Sequence, residues 1–132
     1  MDRAKVKALE LDGETALGSN PLSYNFYAEK GEHIVVIGQN GAGKSALLRI
    51  LAGLLPLTKG TLKIDNQLVD GPKSGTFLPP HKRPTVLQLQ TGAVFPHLNV
   101  SKNIDYPHLQ MNLESKFVRN NIEEKIERYE LN

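Results

Sequence analysis

The sequence predicts an α/β fold, and three observations carry that expectation. HIVVIG, His33 to Gly38, is a continuous apolar and β-branched run, the composition of a strand covered on both faces as in a parallel sheet. A turn with three glycines within six residues follows, and KSALLRILAGLL then sets Leu47, Leu48, Leu51 and Leu55 at helical spacing before Pro56 stops the helix. Ahead of this unit the chain shows the two-residue alternation of strands.

Taken in order, VKALEL (Val6 to Leu11) alternates apolar and polar residues and reads as an edge strand, and LSYNFYAE (Leu22 to Glu29) reads as a second strand. HIVVIG is the expected central strand. GTLKIDNQLV (Gly60 to Val69) reads as two short strands about Asp65 and Asn66, since both residues tolerate turn conformations. DGPKSGTFLPPHKRP (Asp70 to Pro84) holds four prolines and two glycines and reads as an exposed loop. TVLQLQ (Thr85 to Gln90) returns to strand character. From Leu113 to Leu131, Val118, Ile122, Ile126 and Tyr129 share one helical face, and Glu124 with Arg128 forms an i,i+4 pair. The apolar spacing changes from sheet-like to helical near Phe95 to Val100, which predicts a boundary there, with residues 1–97 as a core and 98–132 opening a helical part.

Composition narrows the function classes. A chain of 132 residues has room for about one domain, and its 39% apolar and 23% charged content is that of a folded globular protein. The net charge of +2 is small and the basic residues are dispersed, so nucleic acid is not an expected partner. The absence of cysteine removes disulfides, thiolate zinc sites and cysteine nucleophiles together. No run approaches the roughly 18 apolar residues that a membrane span requires, and the N-terminus lacks a signal-like apolar core, so the expected location is cytoplasmic.

Gly38-Gln39-Asn40-Gly41-Ala42-Gly43-Lys44-Ser45 fits G-x-x-x-x-G-K-[ST] in the strand-to-helix context that a phosphate-binding loop needs. Each residue type has a reason. The glycines let backbone N–H groups turn inward around a β-phosphate, the helix N-terminus adds partial positive charge, Lys44 reaches the β- and γ-phosphates, and Ser45 can ligate magnesium. A plain glycine turn ahead of a lysine is the bland alternative, and the flanking strand and helix weigh against it. A dinucleotide fingerprint requires G-x-G-x-x-G, whereas the glycines here are spaced G-x-x-G-x-G.

The wider stretch KGEHIVVIGQNGAGKSALLRILAGLLPLTKGTLKID resembles the opening of the nucleotide-binding domain of ABC transporter ATP-binding subunits, a P-loop NTPase fold. PPHKRPTVLQLQTGAVFPHLNVSKNI, Pro79 to Ile104, is similar to the family's Q-loop segment, and its phrases LPPHKRP and FPHLNV look most like importer ATPases of the molybdate, polyamine and sugar group. The resemblance covers nearly the whole chain but only the first half or so of the family domain. It implies an antiparallel β subdomain followed by the start of a RecA-like core and of a helical subdomain.

The resemblance further implies ATP and Mg2+ as ligands. The candidate nucleotide-binding residues are Gly38, Gln39, Asn40, Gly41, Ala42, Gly43, Lys44, Ser45 and Ala46, and the candidate magnesium ligands are Ser45 and Gln90. Gln90 in the Q-loop position would also contact the attacking water and couple the site to transmembrane permease subunits, with a second nucleotide-binding subunit completing a dimer on the inner face of the membrane. The strand ending in aspartate and glutamate, the LSGGQ-type signature and the switch histidine that the family places after this glutamine are not in this sequence, so no catalytic residue is assigned and whether the protein is an ATPase stays open. This stretch alone is expected to bind nucleotide weakly at best and not to turn over ATP appreciably.

Near Thr15, where the family places an aromatic against adenine, Tyr24 or Tyr27 is a candidate substitute, set against simple packing in a strand. His81, His97 and the Lys82-Arg83 pair read as solvated loop residues. The rival to a transporter ATPase is a fragment that docks on partner subunits without catalysis. A small complete kinase lacks its acceptor-site arginines here, and a GTP switch lacks N-K-x-D.

Overall fold

A computed structural model describes residues 7–90, 92, 94–110, 124 and 127–129. The chain forms two compact units that divide between Thr85 and Val86.

The first unit is an antiparallel five-stranded sheet with one helix. Its strands are β1 (Lys7–Leu17), β2 (Asn20–Glu29), β3 (Lys59–Ile64), β4 (Gln67–Gly71) and β5 (Thr76–Phe77), in the order β2-β1-β3-β4-β5, and the helix α1 is Lys44–Leu51. Alternation decides the faces. Leu11, Leu62, Ile64 and Val69 turn to one side and form a buried core with Leu47 and Ile50 of α1 and with Leu57, while Tyr24 and Phe26 of β2 pack against it. Burying a side chain of this size contributes about 1.5–3 kcal/mol. The expected hairpin about Asp65 and Asn66 is present: both residues have positive φ, 46° and 63°, the two left-handed positions of a type I′ turn that suits the twist of its strands.

Several expectations are corrected. The first strand is longer than VKALEL and is not an edge, for it pairs with β2 on one side and β3 on the other. Gly13 and Thr15 continue its buried register, so the strand extends through residues too small or polar to look like core.

Residues 33–38, expected as the central strand of a parallel sheet, pair with no strand among the described residues, and Val35 is 81% and Ile37 90% exposed. β-branched composition favours extended backbone, whereas a strand also needs neighbours, and the sheet described here is antiparallel throughout. Residues 85–89 are likewise unpaired among the described residues. Helix α1 ends at Leu51, short of Pro56. Its buried face is Ala46, Leu47 and Ile50, and Leu48 points largely to solvent.

The proline-rich stretch is not a plain exposed loop. It contains β5 and two short 3-10 turns, Pro72–Ser74 and Pro80–Lys82, and it is closed at both ends by buried charges, Asp70 and Arg83. The helix expected over residues 113–131 lies largely outside the described residues. Within them, Arg128 and Glu124 form the expected i,i+4 ion pair at 2.9 Å.

The second unit contains α2 (Val100–Gln110). Asn99 caps it by accepting from Lys102 N–H at 2.9 Å, and Asn103 ties the preceding turn to it. The Asn103 carboxamide accepts from Phe95 N–H at 2.7 Å and donates to the carbonyls of Phe95, Leu98 and Asn99, and the Phe95 ring packs 4.4 Å from that of Tyr106.

Candidate nucleotide-binding site

The loop of residues 38–45 leaves the exposed segment 33–38 and enters α1. Gly41 and Gly43 have φ of 82° and 91°, left-handed conformations that favour glycine and that curl the backbone into a concave turn. Ala42 N–H closes the turn on the Gln39 carbonyl at 3.2 Å.

The first hydrogen bond of α1 runs from Leu47 N–H to the Gly43 carbonyl at 2.9 Å, so the amides of Lys44, Ser45 and Ala46 project from the helix N-terminus. No side chain caps this end and no acid sits in the first turn, while Arg49 lies in the last, so the partial positive charge of the helix faces the loop uncompensated. The Lys44 ammonium folds back over the loop and donates to the carbonyls of Gly38 and Gln39, both at 2.7 Å. Three amides, one ammonium and a helix terminus thus meet at one loop, a combination of positive charge and free donors that favours an anion.

The structure brings residues 38–46 together in this unit. Ser45 is exposed beside the loop, so its hydroxyl is accessible to a cation held by phosphate oxygens, and the Ala46 side chain is buried in the core, leaving only its backbone to face a ligand. Gln90 belongs to the second unit, where it sits exposed in a turn. Among the described residues no cluster of histidines or carboxylates is arranged to hold a metal by itself.

Thr15 is buried, donating to the Pro56 carbonyl at 2.9 Å, and so is closed to a base. Tyr24 is packed against the core, while Tyr27 is exposed on the other side of β2, where the Lys7 ammonium lies 5.1 Å from its ring. His81 and His97 are exposed loop residues as expected.

Two features escaped the sequence. Arg83, expected as a solvated neighbour of Lys82, is 5% exposed and donates to the carbonyls of Ile50 and Leu78 at 2.6 Å, with Asp70 at 3.7 Å. Asp70, 1% exposed, accepts from Leu57 N–H at 3.0 Å. Burial pushes the Asp70 carboxyl above its ordinary value and lowers that of Arg83, the two charges only partly offsetting this. The Arg83 guanidinium therefore closes the C-terminal end of the helix whose N-terminus faces the phosphate loop. The second feature is Tyr24, whose hydroxyl donates to the Gly43 carbonyl at 2.9 Å; the sequence offered it adenine stacking or packing in a strand, not a contact with the start of α1.

The strand-free glycine turn, its converging amides and Lys44 define a phosphate-binding-loop protein, the class of the P-loop NTPases. More narrowly, the chain belongs to the ABC transporter family, whose profile matches residues 22–131. It is 39% identical over 100 residues to a spermidine/putrescine import ATP-binding protein of Bacillus thuringiensis, across 76% of this chain and 28% of that protein. It is 38% identical over 77 residues to a trehalose/maltose import ATP-binding protein of Thermococcus litoralis, across 58% of this chain and 21% of the relative. A thiamine import ATP-binding protein of Salmonella choleraesuis is 35% identical over 105 residues, across 77% of this chain and 42% of its own length. The chain thus spans less than half the length of the curated relatives it matches.

Proposed function

We propose that this chain is the nucleotide-binding front part of the ATP-binding subunit of an ABC importer, and that it binds Mg–ATP through residues 38–46. The observation that carries the reading is the loop itself: left-handed Gly41 and Gly43, the free amides at the start of α1, and Lys44 folded across carbonyls from which a triphosphate could recruit it. The names of its relatives support the importer assignment.

In this reading the loop amides and Lys44 hold the β- and γ-phosphates, and Ser45 and Gln90 are the magnesium ligands. The magnesium ion neutralises phosphate charge when bound. Residues 1–97 form the nucleotide-binding core and 98–132 begin the helical subdomain, with permease subunits and a second nucleotide-binding subunit as partners at the inner membrane face. Among the described residues no helix is long and apolar enough to cross a membrane.

A docking role without catalysis is the second reading, favoured by Val94 and Val100, which lie exposed beside the Phe95 turn where a permease contact falls by resemblance. Competition binding with the purified chain tests the proposal: ATP should displace a labelled ATP analogue more strongly than GTP, while steady-state hydrolysis stays near background. Equal displacement by GTP, or no displacement by either, contradicts it. Vigorous Mg2+-dependent turnover that is lost in Lys44→Ala contradicts the expectation that this stretch alone is not a competent catalyst.

A further inference from the structure

We propose that Tyr24 is a positioning residue for the phosphate-binding loop, its hydroxyl holding the Gly43 carbonyl down toward β2 so that the following amide faces the ligand. The inference rests on the nucleotide-binding reading of residues 38–46.

The carbonyl of Gly43 receives two donors, Leu47 N–H and the Tyr24 hydroxyl, each at 2.9 Å. A planar trans peptide directs its C=O and N–H in opposite senses. Holding the Gly43 oxygen toward β2 and the helix axis therefore turns Lys44 N–H the other way, out of the helix N-terminus and into the concavity.

The contact is also steric. A Cβ on Gly43 would lie 2.7 Å from the Tyr24 hydroxyl oxygen and 3.1 Å from Leu22 Cδ1, so these two β2 side chains form a floor under the left-handed residue. The contact differs from an N-cap, which accepts from the first helix amides: Tyr24 donates to a carbonyl and leaves those amides open to a ligand. Tyr24 is half-buried against the core, which fixes its ring, and burial raises the phenol above its ordinary range, so it stays a donor through neutral and mildly alkaline pH.

Tyr24→Phe removes one oxygen and keeps the ring. Calorimetric titration of the 132-residue chain with Mg–ATP should give about three- to tenfold weaker binding for Tyr24→Phe, the loss of one hydrogen bond, with Lys44→Ala as the variant that abolishes binding. Amide exchange read on the same proteins without nucleotide should speed up in the peptide covering residues 38–47 and stay unchanged in β1, β3 and β4. Wild-type affinity in Tyr24→Phe, or exchange that speeds up uniformly across the sheet, overturns the proposal, the latter because it marks a general packing role. If wild type and Lys44→Ala alike ignore Mg–ATP, the nucleotide reading fails, and the exchange comparison alone decides whether Tyr24 orders the loop.

Discussion

Arg83 and Asp70 show what a single buried charge pair does here. Both are nearly solvent-free, and the guanidinium also satisfies the end of α1 through the Ile50 carbonyl. Removing one partner strands the other in the core, a loss of about 3–5 kcal/mol. Arg83→Met should therefore lower the unfolding free energy by that order in a denaturant melt, and a cost near zero would show that the pair is incidental. Asp70 adds a pH dependence of its own. Its folded pKa is raised by burial, so the folded chain holds this proton more tightly than the unfolded chain does, and the contribution favours folding in acid and is lost as pH rises through the raised value. Stability of wild type should fall relative to Asp70→Asn across that rise; a constant difference between the two would contradict the direction. In the sequence both residues bounded a proline-rich stretch and looked solvated. Charge type is legible in a string of residues, whereas a partner 13 positions away is not.

Among the elements, the loop with α1 and the β3–β4 hairpin were the most legible because their determinants are local. Glycine spacing dictates left-handed turns, and Asp65-Asn66 between alternating strands dictates a tight hairpin. Asn66→Gly should keep or slightly raise the melting temperature, whereas Asn66→Val, a β-branched residue at φ 63°, should cost about 1–2 kcal/mol. An equal effect of the two would contradict a conformational role for the turn. Residues 33–38 were read as a central strand, and no described strand pairs with them. Composition reports what backbone a segment favours, and pairing depends on strands elsewhere. The same limit hid the true position of β1, whose Gly13 and Thr15 carry no hydrophobic signal although they face the core.

For the molecule as a whole, the consequence is an exposed apolar edge. Ile34, Val35, Val36 and Ile37 lie open beside the phosphate loop, a β-branched run in no described strand and with the composition of an aggregation-prone segment. The purified chain should self-associate with rising concentration in sedimentation velocity, and Val35→Lys with Ile37→Lys should reduce that association. A monomer at all concentrations would contradict it. The phosphate loop was legible from motif spacing and the family and its antiparallel subdomain from resemblance, whereas the strand order, with β1 between β2 and β3, emerged only in three dimensions. Direct titration of the purified chain and of Lys44→Ala with Mg–ATP tests the central claim most closely. Saturable one-site binding by the wild type that weakens at least tenfold in Lys44→Ala is the predicted result, and binding that is absent, or indifferent to Lys44, would contradict a phosphate-binding role for residues 38–46.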